Sequence, residues 1–275
     1  MKKEILTIVA IALTTLCYGQ IDTIFSNNEK ITCNVKEITP DAVKYTYPGE
    51  ELLNSMYKNS VQKIVFKNGR VQTFAEATSF KKVNSVDDFE NVAVTQVESE
   101  IKGLFKLGEV GSKAKGTTTL SNQERVKDRA YRKMKIVAAM MGANIIYLTN
   151  QRTEGNKPGA HDHAGTSAEA NLSGVAYTNL LPSIDEFKKL INDKKNFTAM
   201  QETKLWSSAS DMTKTSIQSK FIINSITNES GLIMINGILQ ETPKNITFRV
   251  VSFDQEYFNV YYEDKISSYN LKIKI

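Results

Sequence analysis

Most of this chain alternates apolar and polar residues, which is the pattern of half-buried β-strands. In residues 21–80, the segments 31–38 and 42–47 alternate over their lengths, and Pro40-Asp41 supplies a turn between them. Two further apolar runs flank Asn68-Gly69, a dipeptide that tolerates positive φ and suits a tight hairpin. The pattern predicts a small antiparallel β module.

The alternation returns in residues 196–275. The predicted strands are 221–223, 232–235, 246–253, 257–262 and 269–275, and the last of these alternates strictly. About five antiparallel strands with one buried face predict a β sandwich or an open barrel. The aromatic residues there are expected to pack in the core rather than form a ligand platform; they are Phe248, Phe253, Phe258, Tyr261 and Tyr262.

Residues 81–195 combine short strands with two helices. Ser121 and Glu124 have the spacing of a capping box, and Gly142 supplies a stop, which predicts a helix over 121–141. Its apolar face comprises Val126, Ala130, Met134, Val137 and Met141. A second capped helix is predicted from Ser183 to about Lys194, with an apolar face suited to a sheet. The glycines from Gly103 to Gly116 predict a loop or irregular hairpin. The whole chain is thus predicted to be α+β, with a central α/β unit.

Part of the central segment resembles a known family. A strand, a small-residue helix with Ala130 and Ala138-Ala139, the turn 141–144 and an apolar strand are similar to the small α/β domains of bacterial envelope stress-sensor lipoproteins and their heavy-metal-binding-like relatives. The stress sensors carry cysteines that cross-link their fold, and this segment lacks them. The resemblance implies binding or signalling in the envelope without catalysis.

The N-terminal segment carries a second resemblance. Asp22-Thr23-Ile24, Val43-Lys44-Tyr45 and the run 65–69 resemble a small β module that recurs in secreted bacterial proteins of unknown function. This resemblance implies no particular chemistry.

The first twenty residues have the composition of a secretory leader. Lys2 and Lys3 precede a twelve-residue apolar run, and small residues follow at its end. We expect cleavage before Gln20 and a periplasmic or secreted protein without a lipid anchor, although Cys17 leaves a degenerate lipid-attachment site open. Past this leader the sequence contains no apolar run long enough to predict a transmembrane helix.

Net charge and cysteine content limit the classes of binding partner and cross-link that the sequence predicts. The chain has a formal net charge of +5, which falls to about +4 without the leader and does not indicate a nucleic-acid partner. Cys33 is then the only cysteine, so no intrachain disulfide can form. Envelope proteins, glycans and lipid head groups remain as expected partners.

Two segments could carry binding chemistry. Both histidines lie in a glycine-rich loop as His161-Asp162-His163, and with Asp162 or Glu169 they could hold a divalent metal; a solvated loop is the alternative. The first helix places Arg125, Arg129 and Arg132 on one face, which suits an anionic partner or a plain solvated face.

No arrangement of residues predicts catalysis. A serine or cysteine triad needs a histidine near a nucleophile, whereas both histidines share one loop. The adjacent acids Asp87, Asp88 and Glu90 are expected to be solvated. The sequence therefore predicts a non-enzymatic binding or scaffolding protein of the envelope that needs no cofactor. The alternative is a metal-responsive or stress-sensing component that uses the His161/His163 loop or the basic helix.

Overall fold

A computed structural model describes residues 21–26, 29–74, 81, 83–118, 120–155, 165–240 and 242–275. Within these ranges the protein is mostly β with some helix and contains several antiparallel sheets, which confirms the predicted class at that level. The predicted leader, residues 1–20, lies outside them. The chain divides into two compact units, residues 1–77 and 78–275.

The first unit is a single antiparallel sheet. Its strands are β1 (Asp22–Ser26), β2 (Glu29–Ile38), β3 (Ala42–Thr46), β4 (Asn54–Tyr57), β5 (Val61–Val65) and β6 (Val71–Thr73), in the order β4-β3-β2-β1-β5-β6. The predicted hairpin at Asn68-Gly69 is present: Gly69 has a φ of 81° and its N–H donates to the carbonyl of Phe66. Ile24, Cys33 and Ile64 are fully buried at the centre of the core.

The second unit begins with a four-stranded sheet covered by a helix. The sheet has the order β7-β9-β10-β8, and β7 runs parallel to β9 while the other pairs are antiparallel. Its elements are β7 (Ala93–Thr95), β8 (Phe105–Lys115), α1 (Gln123–Met140), β9 (Ile145–Glu154) and β10 (Glu169–Thr178).

The loop or irregular hairpin predicted at Gly103 to Gly116 is wrong, because most of this segment is the continuous strand β8. Leu107, Val110 and Ala114 are buried along it. A Cβ on Gly108 would lie 3.0 Å from the end of the Met141 side chain. The missing side chain thus makes room for the end of α1 without ending the strand.

The ends of α1 are set by local chemistry. The predicted capping box is wrong by one residue: Asn122 is the N-cap, and its side-chain oxygen accepts from the Arg125 N–H, whereas the Ser121 hydroxyl accepts from the Thr118 N–H. The predicted stop is confirmed. Gly142 follows the helix with a φ of 82°, the left-handed geometry typical of glycine at this position.

The C-terminal part is a closed six-stranded barrel, so the predicted sandwich or open barrel is wrong. Its strands, in order around the barrel, are β11 (Asn196–Trp206), β12 (Thr213–Glu229), β13 (Leu232–Leu239), β14 (Thr242–Phe253), β15 (Tyr257–Glu263) and β16 (Ser267–Lys274). The strand missing from the prediction is β11, which pairs with both β12 and β16 and closes the sheet.

Of the five aromatic residues predicted to pack in the core, Phe248, Phe258 and Tyr262 are in the barrel interior and Phe253 packs against it, whereas Tyr261 joins the apolar cluster beneath α1. Phe248 and Phe258 are fully buried in the barrel interior with Phe221, and the Phe221 and Phe248 ring centroids are 4.9 Å apart. The second helix, α2 (Ile184–Ile191), adds Phe187 and Ile191 to this core rather than packing on the central sheet.

The barrel and the central sheet belong to one compact unit, whereas the sequence predicts separate domains that meet at 195/196. Leu205 and Tyr261 point out of the barrel and join the apolar cluster beneath α1. A β-bulge at 199/201 accounts for Leu205: Ala199 faces the barrel interior, and the extra residue turns the following alternate positions outward.

Candidate functional site

A cavity of about 220 Å³ lies within the second unit, where the outer face of the barrel meets the C-terminal end of α1 and a short 3-10 helix, Val86–Asn91. We call it the seam cavity. Its barrel wall is formed by Gln201, Thr203, Ser252, Asn259, Asn270 and Lys272, and Lys214 and Asp254 also line it. Asp87 lines it from the 3-10 helix, and Asn84 and Ser85 line it from the residues just before that helix.

Strand register brings the barrel wall together. Lys272 on β16 pairs with Gln201 on β11 and with Asn259 on β15, and Asn259 in turn pairs with Ser252 on β14. This row crosses four strands, and the Asn259 side-chain amide donates to the Ser252 hydroxyl at 3.0 Å. A second row lies two residues farther along β11, β15 and β16, and three along β14, where the register shifts. It consists of Thr203, Asn270, Tyr261 and Arg249.

The second row holds the end of α1 against the barrel. The Asn270 side-chain amide donates to the Met140 carbonyl at 3.0 Å. The Arg249 guanidinium donates to the carbonyls of Leu107 at 2.6 Å and Met141 at 3.0 Å. The last carbonyls of a helix have no partner within the helix, and a cation is favourable beside them. These bonds fix one wall of the cavity relative to the other.

Burial makes Arg249 an unusual residue. Only 7 % of its surface is exposed, and this desolvation lowers its pKa, while the nearby Tyr261 and Glu263 act in the opposite direction. Its guanidinium also lies over the Tyr261 ring, 5.1 Å from the centroid. Arg249 therefore has a structural task at the junction and is held away from the cavity.

Two adjacent acids fix the shape of the 3-10 helix and its attachment to the barrel. The Asp88 carboxylate accepts from the backbone N–H groups of Asn84 and Ser85 at 2.9 and 3.1 Å, which fixes the start of the helix. The neighbouring Asp87 forms an ion pair with Lys214 of β12. Two adjacent acids thus hold the turn in shape and join it to the barrel.

The other charges at the cavity are also engaged within the protein. One Asp254 oxygen accepts from the backbone N–H groups of Glu256 and Tyr257, both at 2.8 Å. These two bonds, with a smaller contribution from Lys272, hold the pKa of Asp254 below its usual value. The Lys272 ammonium itself lies 4.0 Å from the centroid of the Tyr257 ring.

The two walls of the cavity differ in polarity. On the side of α1 and the 3-10 helix, Val86 and Ala139 are buried members of the apolar cluster beneath α1. Val83, which precedes the 3-10 helix, packs against the same cluster and completes this wall, while Val251 of the barrel strand β14 packs against that cluster from the barrel side. The barrel wall opposite presents carboxamides and hydroxyls, groups that both donate and accept hydrogen bonds. The arrangement can orient a small molecule that has one apolar face and a polar edge.

The predicted metal site cannot be placed, because His161, Asp162 and His163 lie outside the described residues. Glu169, the further candidate oxygen donor, is described. Its carboxylate lies 2.6 Å from the Lys113 ammonium and accepts from Asn171, and these bonds lower its pKa. Among the described residues, no three His, Cys, Asp or Glu side chains cluster as a metal site.

The predicted anion-binding residues do not form one open face. Arg132 lies 2.9 Å from an Asp211 oxygen and 3.4 Å from a Glu90 oxygen, and it stacks over the Phe89 ring. Arg129 donates to the Lys115 carbonyl at 2.9 Å, and Arg125 is exposed. Two of the three arginines of the basic helix are therefore engaged in contacts within the protein. None of these three arginines lines the seam cavity.

Sequence reasoning missed every residue of the seam cavity as a site residue. The one local signal was Ser85 followed three positions later by Asp88, a spacing that marks the start of a helix. The remaining residues come from strands whose relation depends on register and bulges. The acids expected to be solvated are structural: Asp87 pairs with Lys214, and Glu90 with Arg132.

Comparison with protein families, with curated proteins and with solved structures finds no match to this chain. The resemblances to envelope stress-sensor domains and to a secreted β module therefore stay predictions. In the described part of the chain, neither helix has the length and apolar character that crossing a bilayer would require.

Proposed function

We propose that this chain is an exported, non-enzymatic binding protein that holds a small polar molecule in the seam cavity. The observation that carries the proposal is the convergence of side-chain carboxamides and hydroxyls from four barrel strands on a cavity of about 220 Å³. A concave site with a few convergent polar groups is the usual form of a ligand site. Export rests on the leader-like sequence of residues 1–20.

Binding accounts for these residues better than catalysis does. A general acid or base needs a pKa near the working pH and freedom to exchange a proton with the substrate. At the seam cavity, Asp254 is held as a carboxylate by two backbone N–H groups, and Asp87 is paired with Lys214. These charges are occupied in maintaining the walls, which favours a site that recognises its ligand and leaves it unchanged.

Thermal unfolding in the presence of small polar molecules tests the proposal. Trp206, the single tryptophan of the chain, lies on β11 and reports on the second unit. The panel contains uncharged sugars, amino acids, organic acids and amines. A ligand at about ten times its Kd stabilises the native state by roughly 1.4 kcal/mol. For a unit of this size that raises Tm by about 3–5 °C.

Two matched variants locate the effect. Asn259→Leu removes the carboxamide at the centre of the barrel wall, whereas Asn236→Leu makes the same change at an exposed position on β13 outside the cavity. We expect the ligand-induced rise in Tm to disappear in Asn259→Leu and to persist in Asn236→Leu. The proposal is wrong if none of the four classes raises Tm, or if the rise survives in Asn259→Leu.

A further inference from the structure

We infer that the ligand of the seam cavity is an uncharged saccharide ring, an inference that rests on the proposed function and specifies its chemistry. Three properties of the cavity lead to it: its size, the difference between its two walls, and the state of its charges. Each excludes other small polar molecules for a separate reason.

Size limits the ligand to about one ring. The volume of about 220 Å³ lies below the range of roughly 300–1,000 Å³ that is usual for drug-sized ligands. A cavity of this volume favours a ligand of about one ring, such as a single sugar unit, free or at the end of a glycan, over a nucleotide or a lipid head group with its glycerol.

The two walls match the two sides of a sugar ring. A pyranose presents C–H groups on a face of the ring and hydroxyls around its edge. The wall formed by Val83, Val86 and Ala139 can cover the C–H groups by apolar contact, and Val251 of β14 adds an apolar group from the barrel side. The barrel wall opposite offers the carboxamides of Gln201 and Asn259. A carboxamide donates through nitrogen and accepts through oxygen, as a row of hydroxyls requires.

The charges of the cavity disfavour an ionic ligand. Asp87 and Lys214 neutralise each other, and Asp254 lies close enough to Lys272 for the lysine to lower its pKa. The lining thus carries two cations and two anions and has no net field that selects one sign. A phosphate or an amine would have to separate Asp87 from Lys214 or bury a charge without a partner, which is costly.

Isothermal titration of the full chain with sugars that differ mainly in charge tests the inference. The probes are glucose, galactose and N-acetylglucosamine, with glucuronate and glucosamine as anionic and cationic forms of the same ring. We expect at least one uncharged sugar to bind about tenfold more tightly than its charged counterparts. This ratio of Kd values corresponds to a difference of about 1.4 kcal/mol in binding free energy. Serine and inorganic phosphate are included as probes of the other classes.

A substitution that adds charge sharpens the result. Asn259→Asp places a carboxylate of nearly the same shape in the centre of the barrel wall. We expect this variant to bind the uncharged sugar at least tenfold more weakly and to gain affinity for glucosamine relative to glucose. The exposed control Asn236→Asp is expected to behave like the unaltered protein.

The outcomes separate this inference from the proposed function. If serine, phosphate or a charged sugar binds best and Asn259→Leu abolishes that binding, the saccharide inference is overturned while the seam cavity remains a binding site. If no probe binds while another molecule of the thermal panel still raises Tm in a way that Asn259→Leu abolishes, only the saccharide inference is overturned; if neither experiment detects a ligand, the proposed function is overturned as well. Binding of glucose that Asn259→Asp leaves unchanged would also refute the inference.

Discussion

Substituting Gly142 by alanine tests the junction on which the seam cavity depends. Gly142 ends α1 with a φ of 82°, and a Cβ built there would lie 2.7 Å from Cγ1 of Val251 on β14. A methyl group at this position meets two separate obstacles. An alanine in the left-handed region costs about 1–2 kcal/mol. Forcing the extra methyl against a packed neighbour costs about 1–3 kcal/mol more.

We expect Gly142→Ala to reduce the free energy of unfolding of the second unit by about 2–5 kcal/mol, from the sum of these two costs. For a unit of roughly 200 residues this lowers Tm by about 4–20 °C. Urea denaturation followed by the fluorescence of Trp206 measures the change in free energy directly.

A double-mutant cycle separates the steric term from the backbone term. Val251→Ala removes Cγ1, so Gly142→Ala should cost about 1–3 kcal/mol less in that background. Gly69→Ala in the first unit gives the backbone term alone, because its φ is 81° and no described atom lies within 4 Å of the added methyl. The reasoning is refuted if Gly142→Ala is as stable as the unaltered protein, or if Val251→Ala gives no relief.

Two further predictions concern the cores of the two units. Cys33 is fully buried, and burial, together with the charge of Asp22, raises the pKa of its thiol from 9.0 to about 11. The thiol should therefore resist iodoacetamide at pH 8 until denaturant opens the first unit. The native state holds this proton more tightly than the unfolded chain does. The contribution of the protonated Cys33 thiol to the free energy of unfolding is thus complete below pH 9 and is lost between about pH 9 and 11. This loss should be absent in Cys33→Ala. In the barrel, Phe258→Ala should cost about 3–5 kcal/mol, measured by urea denaturation, because its ring lies 5.2 Å from that of Phe197 and is fully buried. A cost below about 1 kcal/mol would contradict the described packing of the barrel interior.

The features that could be predicted from the sequence are those that a few neighbouring residues determine. Asn68-Gly69 specifies its hairpin, and Gly142 ends α1, since both turns need positive φ. The sequence predicts the cap of α1 one residue too early because Ser121 and Asn122 are both good caps. Only the structure shows that the serine hydroxyl is already engaged with Thr118.

The closure of the barrel could not be predicted because a bulge in β11 interrupts the alternation of buried and exposed residues in the closing strand. The strand β11 begins with Phe197 and Ala199 facing inward, and after the bulge at 199/201 its buried residue Leu205 faces outward. Strict alternation is lost, so the segment does not read as a strand with one buried face. The polar wall of the seam cavity could not be predicted either, because it depends on strand register. Gln201 and Asn259 become neighbours of Lys272 only through the register of three strands.

Side-chain amide NMR of the full chain titrated with an uncharged hexose tests the central claim most directly, because the carboxamides of the seam cavity report on their own surroundings. We predict that the NH₂ signals of Gln201 and Asn259 shift progressively and saturate, while the signal of Asn236, exposed on β13, stays unchanged. If the signals of Gln201 and Asn259 do not move, or move no more than that of Asn236, the seam cavity is not a binding site for such a ring.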